Sequence, residues 1–316
     1  MPTETVYGLA ADATSDRAVA AIYAAKERPA INPLIAHVLD IDEGREHAIF
    51  GPEAETLARA FWPGPLTLVV TRNPAGVAAE VTGGRDTVGI RVPDHPVALE
   101  LLERFGGGVA APSANRFGRV SPTTAEHVRA DLGSDVQVVL DGGPSRVGVE
   151  STIVAVTGVT PVILRLGGVG RAQVERVLGR ACAVSTAGEH AAPGTLASHY
   201  APRAHVEIVD APDAGARARE IASGGRRVGL LAMELSGCRV PEGVMVLTPP
   251  SDIAEYARVL YSRLREADEH RLDVLLVVLP GGAGNSDTGG DTGGDVDGDS
   301  DALAAAIADR VCRASH

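Results

Sequence analysis

Residues 66–115 read LTLVVTRNPAGVAAEVTGGRDTVGIRVPDHPVALELLERFGGGVAAPSAN, and this stretch decides the fold. Residues 66–70 and 87–92 are apolar, β-branched runs bounded by Asn, Pro and Gly, which is how strands read. Residues 96–105 read as a helix, and 108–111 as a strand that runs into Pro112, where ladder pairing must stop. Strands interleaved with helices predict an α/β domain around a twisted sheet.

The pattern continues on both sides. Upstream, 16–26 predicts a helix with Val19, Ile22 and Tyr23 on one face and Ser15 as its N-cap. Residues 53–61 and 123–132 also predict helices, the second capped by Thr123 or Thr124, with Glu126 at capping-box distance from Thr123. Downstream, 136–140, 151–156 and 161–164 predict strands. Composition turns small, polar and breaker-rich near 181–195, so we assign 1–180 to a first domain and 181–202 to a linker. Beyond it, strands at 205–209, 227–232, 244–247 and 274–279 and helices at 213–223, 253–267 and 302–312 predict a smaller, Rossmann-like α/β domain over 203–316. Within it, the Gly/Asp tract 281–301 has too little apolar surface to offset its ordering entropy and is expected to be a disordered acidic insertion.

The 316 residues carry a net charge of -12, six of those charges being Asp287, Asp291, Asp295, Asp297, Asp299 and Asp301. A broadly acidic surface repels nucleic-acid backbones, which argues against direct tRNA binding while leaving room for a local cationic pocket. Cys182, Cys238 and Cys312 have no metal-ligand spacing and form no disulfide framework, and we read them as thiols in a reducing cytoplasm. No signal-peptide pattern and no apolar run of membrane-spanning length occurs, so a cytoplasmic location is expected.

Four fragments could carry chemistry. In KERPAINPLIAHV, residues 26–38, Lys26 and Arg28 meet a stretch stiffened by Pro29 and Pro33, with Asn32 and His37 close behind. That suits an anion site, but the same cations could simply be solvated beside a helix C-terminus. In APSANRFGRVS, Ser113 and Asn115 leave a strand end and Ser121 precedes a helix, positions that serve phosphate or plain turn formation equally. Thr87 and Arg91, four apart on a strand, share a face, and Arg91 needs an anionic partner if buried. Ser151 opens one strand, and Arg165 closes the next before a glycine pair. There is no P-loop, GxGxxG fingerprint, HExxH, paired CxxC or GxSxG elbow, so any ATP chemistry must use another cradle.

Taken in order, PTETVYGLAADA (2–13), KERPAINPLIAHV, FWPGPLTLVV (61–70), DTVGIRVPDHP (86–96), APSANRFGRVSPTTAEHV (111–128), LDGGPSRVGVESTIV (140–154), ILRLGG (163–168) and APGTLASHYAP (192–202) resemble the YrdC/Sua-type threonylcarbamoyl-AMP synthase family. The resemblance implies a YrdC-like twisted mixed sheet followed by a Sua-type C-terminal domain. It implies a nucleotidyltransferase that makes threonylcarbamoyl-AMP and pyrophosphate from L-threonine, bicarbonate and ATP, with Mg2+ on the phosphates and no protein-bound metal. The product would pass to a downstream threonylcarbamoyl transferase that modifies tRNA beside the anticodon; double-stranded RNA binding is a family-level association. By the same resemblance, Thr5, His37, Arg91, Ala111 and Ser151 would hold threonine. Arg28, Asn32, Thr87, Ser113, Asn115, Ser121 and Arg165 would hold ATP, and Lys26 and Arg28 would be catalytic. Relatives carry a helix and a strand before PTETVYG, so the natural chain is expected to begin upstream of Met1. We expect the cations and hydroxyls to converge at one end of the sheet. The competing readings, an RNA-binding module and a carbamoyl transferase, lack a basic stripe and zinc-finger CxxC pairs respectively.

Overall fold

A computed structural model describes residues 1–185, 200–233, 240–281 and 298–316. The chain divides into two compact units, 1–117 with 121–196 and 118–120 with 197–316.

In chain order the first unit contains β1 (Ala11–Asp12), α1 (Asp16–Lys26), β2 (Ile35–His37), α2 (Ile41–His47), β3 (Ala48–Ile49), α3 (Pro52–Phe61), β4 (Leu66–Arg72) and β5 (Thr87–Arg91). It continues with α4 (Pro96–Phe105), β6 (Val109–Ala110), α5 (Ala125–Leu132), β7 (Thr152–Ala155), β8 (Val162–Arg165), α6 (Arg171–Leu178) and β9 (Ala183–Val184). The strands form one mixed sheet in the order β1-β6-β2-β5-β4-β7-β8-β9, with β3 paired to β4. The neighbours β2–β5, β4–β7 and β8–β9 are parallel and the others antiparallel.

Strand alternation gives this sheet two chemically different faces. One face presents Ala36, Leu66, Leu68, Val70, Val88, Ile90 and Val154 to a single core shared with Val19 and Ile22 of α1, Leu57 of α3 and Val174 of α6. Burying that face stabilises the unit, at about 1.5–3 kcal/mol for each large aliphatic side chain. The helices begin where the sequence says they should: Ser15 accepts the Ala18 N–H, Thr124 accepts the His127 N–H, and Pro52 and Pro96 sit in first turns.

Several expectations need correction. Residues 136–140 form no strand, because their backbone finds no ladder partner; Val136 and Val139 instead pack against the cluster of Tyr7, Ala114, Ala125, Val128 and Leu132. Of the two caps expected for α5, Thr124 is the one that serves, and Thr123 meets the His127 ring. The proline-stiffened stretch after Lys26, where no strand was expected, contains β2, which lies mid-sheet between β5 and β6. The first sheet also reaches into the stretch read as linker, since β9 pairs with β8; residues 186–199 of that linker lie outside the described residues.

The second unit contains β10 (His205–Ile208), α7 (Ala214–Ser223), β11 (Val228–Leu231), β12 (Met245–Val246), α8 (Ile253–Glu269), β13 (Val274–Val277) and α9 (Gly298–Ala314). Its sheet is all-parallel in the order β10-β13-β11-β12, the Rossmann-like layering expected. Parallel strands buried on both faces read as continuous apolar runs, as β11 and β13 do. The closing helix α9 starts at Gly298, so the last four residues of the tract expected to be disordered are helical; 282–297 lie outside the described residues. Among the described residues no helix is long and apolar enough to cross a membrane.

Candidate active site

The second face of the first sheet is polar. The register His37↔Arg91 and Ile35↔Gly89 puts Thr87, Gly89 and Arg91 on the face of Ile35 and His37. Val69↔Gly89 and Thr67↔Ile153 extend that face across β4 and β7, adding Thr67 and Ser151. Ile35 and Ile153, with Val69 and Leu164, form an apolar floor between the polar groups. Gly89 leaves a depression in this floor, since a Cβ there would lie 3.3 Å from Thr67 Cγ2 and 3.5 Å from Ile35 Cγ1.

Arg165 reaches this face through a register shift. It pairs with Ile153, yet Ile163, two residues earlier, pairs with Val154 and joins the core on the opposite face. Strict alternation would send Ile163 and Arg165 the same way. The extra residue, Leu164, is the kind of bulge that re-aims a side chain. Arg165, 7 % exposed, then donates from Nε to the Ser151 carbonyl at 3.1 Å and from its Nη2 to the same oxygen at 2.9 Å and to Ser151 Oγ at 3.1 Å. Thr67 Oγ1 lies 2.7 Å from Ser151 Oγ and completes this group.

Beside the Ile35 end of the face, Lys26 is 1 % exposed, which rules out the solvated alternative. Its Nζ donates to the carbonyls of Ser113 and Asn115, at 2.5 Å each. Burial, and then the neighbouring Arg28 charge, lower the Lys26 ammonium from 10.5 to about 7. Arg28 donates to the carbonyls of Pro33, at 3.1 Å, and Asn32, at 3.5 Å, and lies over the Phe117 ring at 5.6 Å. Tyr23 also donates to the Asn32 carbonyl, at 2.9 Å. The Ala111 N–H donates to the Ile35 carbonyl, and Ser113 bridges Gly8, which joins the 111–115 loop to the N-terminal segment.

At the other end of the same strands, Arg91 donates from Nε to the Gly64 carbonyl at 3.2 Å and from an Nη to Glu4 Oε1 at 2.6 Å. His37 is 3 % exposed with an unpartnered Nδ1; burial, and then the Arg91 charge, hold its ring neutral by lowering it to about 3. Thr5 Oγ1 lies 2.9 Å from Thr3 Oγ1. Ser121 donates its hydroxyl to Glu150 Oε1 at 2.7 Å.

The candidate residues therefore spread over one face and its flanking loops, which corrects the expectation of a cluster at one end of the sheet. Antiparallel neighbours are the reason: β2 and β5 end at His37 and Arg91, whereas β6 runs the other way and delivers Ala111 and Ser113 to the Ile35 end. Half-buried Thr87 and Asn32 border this face without a side-chain hydrogen bond of their own among the described residues. Sequence reasoning missed Glu4, Thr67, Gly89 and Glu150. Period-two counting from Arg91 would have found Gly89; nothing local marks Glu4 as the partner of an arginine 87 positions away. Among the described residues no group of three or more His, Cys, Asp or Glu could hold a metal ion.

Residues 1–167 match the Sua5/YciO/YrdC family model, described as telomere recombination, and residues 169–316 match the threonylcarbamoyl-AMP synthase C-terminal domain. The chain is 41 % identical to the threonylcarbamoyl-AMP synthase of Bacillus subtilis, over 87 % of this chain and 82 % of that one. It is also 41 % identical to that of Pyrococcus abyssi, over 87 % and 83 %. The crystal structure of P. abyssi Sua5 complexed with L-threonine superposes with a TM-score of 0.85 at 37 % identity, covering 99 % of this chain and 89 % of that one. With both domain models matched end to end and relatives this similar over most of their own length, the chain belongs to the threonylcarbamoyl-AMP synthase family.

Proposed function

We propose that the chain is an L-threonylcarbamoyladenylate synthase, joining L-threonine, bicarbonate and ATP into threonylcarbamoyl-AMP with release of pyrophosphate. The observation that carries the reading is the polar face: Arg91 and Arg165 on it, and Lys26 and Arg28 beside it, are all at least nine-tenths buried around an apolar floor. Cations gathered around one floor suit anionic ligands, whose mutual repulsion they offset. A carboxylate, a bicarbonate and a triphosphate are such ligands, and the guanidiniums can bind their oxygens bidentately.

In this reading Thr5, His37, Arg91, Ser151 and the Ala111 backbone hold threonine, with neutral His37 as a hydrogen-bonding group. Arg28, Asn32, Thr87, Ser113, Asn115, Ser121 and Arg165 hold ATP. Threonine's amine takes up bicarbonate carbon to form a carbamate with loss of water, and a carbamate oxygen displaces pyrophosphate at the α-phosphorus. Lys26 and Arg28 stabilise the charge that develops there, a task of positioning and electrostatics with no protein nucleophile. Mg2+ would arrive on the ATP phosphates, held by them and by water. The acidic surface supports transfer of the product to a separate tRNA-modifying enzyme in the cytoplasm.

The test is pyrophosphate release with threonine, bicarbonate and ATP, omitting each in turn. All three should be required, and Lys26→Ala or Arg28→Ala should abolish release without unfolding the chain. Full activity in both variants would refute the assignment.

A further inference from the structure

Within the reading above, we propose that Glu4 is the carboxylate that receives the amino group of the amino-acid substrate, one oxygen holding Arg91 and the other the substrate nitrogen. Glu4 is 1 % exposed, and its Oε1 accepts from an Arg91 Nη at 2.6 Å. Its Oε2 is buried with no hydrogen-bond partner. A carboxylate oxygen removed from water and given no donor carries an uncompensated desolvation cost, so the fold has left a place for a donor that a ligand supplies.

The backbone keeps Glu4 from turning away. Its carbonyl accepts the Val147 N–H at 2.7 Å, and the hydroxyl of Thr3 beside it is bound to the Val6 carbonyl at 2.6 Å. Arg91 is anchored from behind by the Gly64 carbonyl and belongs to the polar face through its pairing with His37. Its other terminal nitrogen makes no hydrogen bond to the described residues. The pair thus offers an unfilled acceptor on Glu4 and unfilled donors on Arg91, side by side. An α-amino acid presents the complementary set, an ammonium and a carboxylate on adjacent atoms.

The placement also suits a nitrogen that must react. An ammonium donates to Oε2 on binding. The ammonium gives one proton to solvent, the amine attacks the bicarbonate carbon, and its second proton leaves with the displaced hydroxide as water; the carbamate nitrogen keeps one N–H, which still donates to the same oxygen, while its new carboxylate is repelled away from Glu4. Glu4 therefore orients the nitrogen in both states, and Arg91 neutralises Glu4.

The experiment measures binding of L-threonine, and of 3-hydroxybutanoate, the same acid without its amino group, to the full chain by calorimetry. Wild type should bind threonine about 10- to 100-fold more tightly, the range for one charge-assisted hydrogen bond. Glu4→Gln keeps an acceptor for Arg91 but removes the charge; it should lose most of that preference through weaker threonine binding, while its affinity for 3-hydroxybutanoate does not fall. Equal weakening of both ligands would mean that Glu4 only props up Arg91, and would overturn the proposal, as would an unaltered preference. If Glu4→Gln does not fold, Glu4→Asp, which withdraws the carboxylate by one methylene, must show the same selective loss. Equal binding of the two acids by wild type also overturns it. A wild-type chain that binds no threonine and releases no pyrophosphate overturns the synthase reading itself, and this subsite with it.

Discussion

Lys26→Met should leave a stability deficit that grows with pH. In the wild-type chain Lys26 is 1 % exposed and its folded-state ammonium is lowered from 10.5 to about 7. Between those pH values the unfolded chain holds a proton on Lys26 that the folded chain lacks. Stability therefore rises with pH across that window, and below it the fold bears the full cost of a buried charge. A gap of about 3.5 pH units at 1.36 kcal/mol each amounts to roughly 5 kcal/mol across the whole window. Between pH 7 and pH 9 the slope yields about 2–3 kcal/mol. Methionine removes this contribution. It also strips the Ser113 and Asn115 carbonyls of their donor, a pH-independent loss of about 1–3 kcal/mol for each carbonyl left buried and unsatisfied. The assay is urea unfolding of both proteins from pH 6 to pH 9.5. Other ionisable groups contribute equally to the two curves and cancel in the difference. That difference should be smallest near pH 6 and about 2–3 kcal/mol wider at pH 9. Parallel curves would show that Lys26 is not desolvated as the geometry requires.

Three further outcomes are expected. Arg165→Met keeps an aliphatic stem on the polar face but removes the guanidinium, so ATP-dependent pyrophosphate release should fall at least tenfold, on the order of a lost charge-assisted contact, and binding of a non-hydrolysable ATP analogue should weaken in parallel. Gly89→Val should fold, since the position faces the floor and not the core, but its side chain would fill the space between Ile35 and Thr67; calorimetry should find threonine binding lost. His37, lowered to about 3, should show no imidazole titration by NMR from pH 5 to pH 8, and any bell-shaped rate profile in that range should survive His37→Gln.

Much of the fold was legible because its signals are local. Ser15 caps α1 because a side-chain oxygen meets an N–H within one helical turn, and Pro52 and Pro96 mark helix starts for a reason confined to their own backbone. The apolar runs of β11 and β13 announce a parallel sheet covered on both sides. Other elements stayed hidden. Ile35–His37 is too short, and too close to Pro33, to show a period. Residues 136–140 carry strand-like composition without a partner to pair with. Side-chain type does not decide whether an extended segment joins a ladder; a neighbour with free N–H and C=O groups does.

The site divides in the same way. Sequence alone determined which residue types are available: cations at Lys26, Arg28, Arg91 and Arg165, hydroxyls at Thr5, Ser113 and Ser151, and alternation that puts Thr87 and Arg91 on one side of a strand. Only the tertiary structure decided that these residues line a face and not an end, that Arg165 joins them, and that Glu4 answers Arg91. Strand order and a one-residue slip in register are settled by pairing between segments far apart in the chain. A slip of one residue exchanges core for surface without changing a single letter.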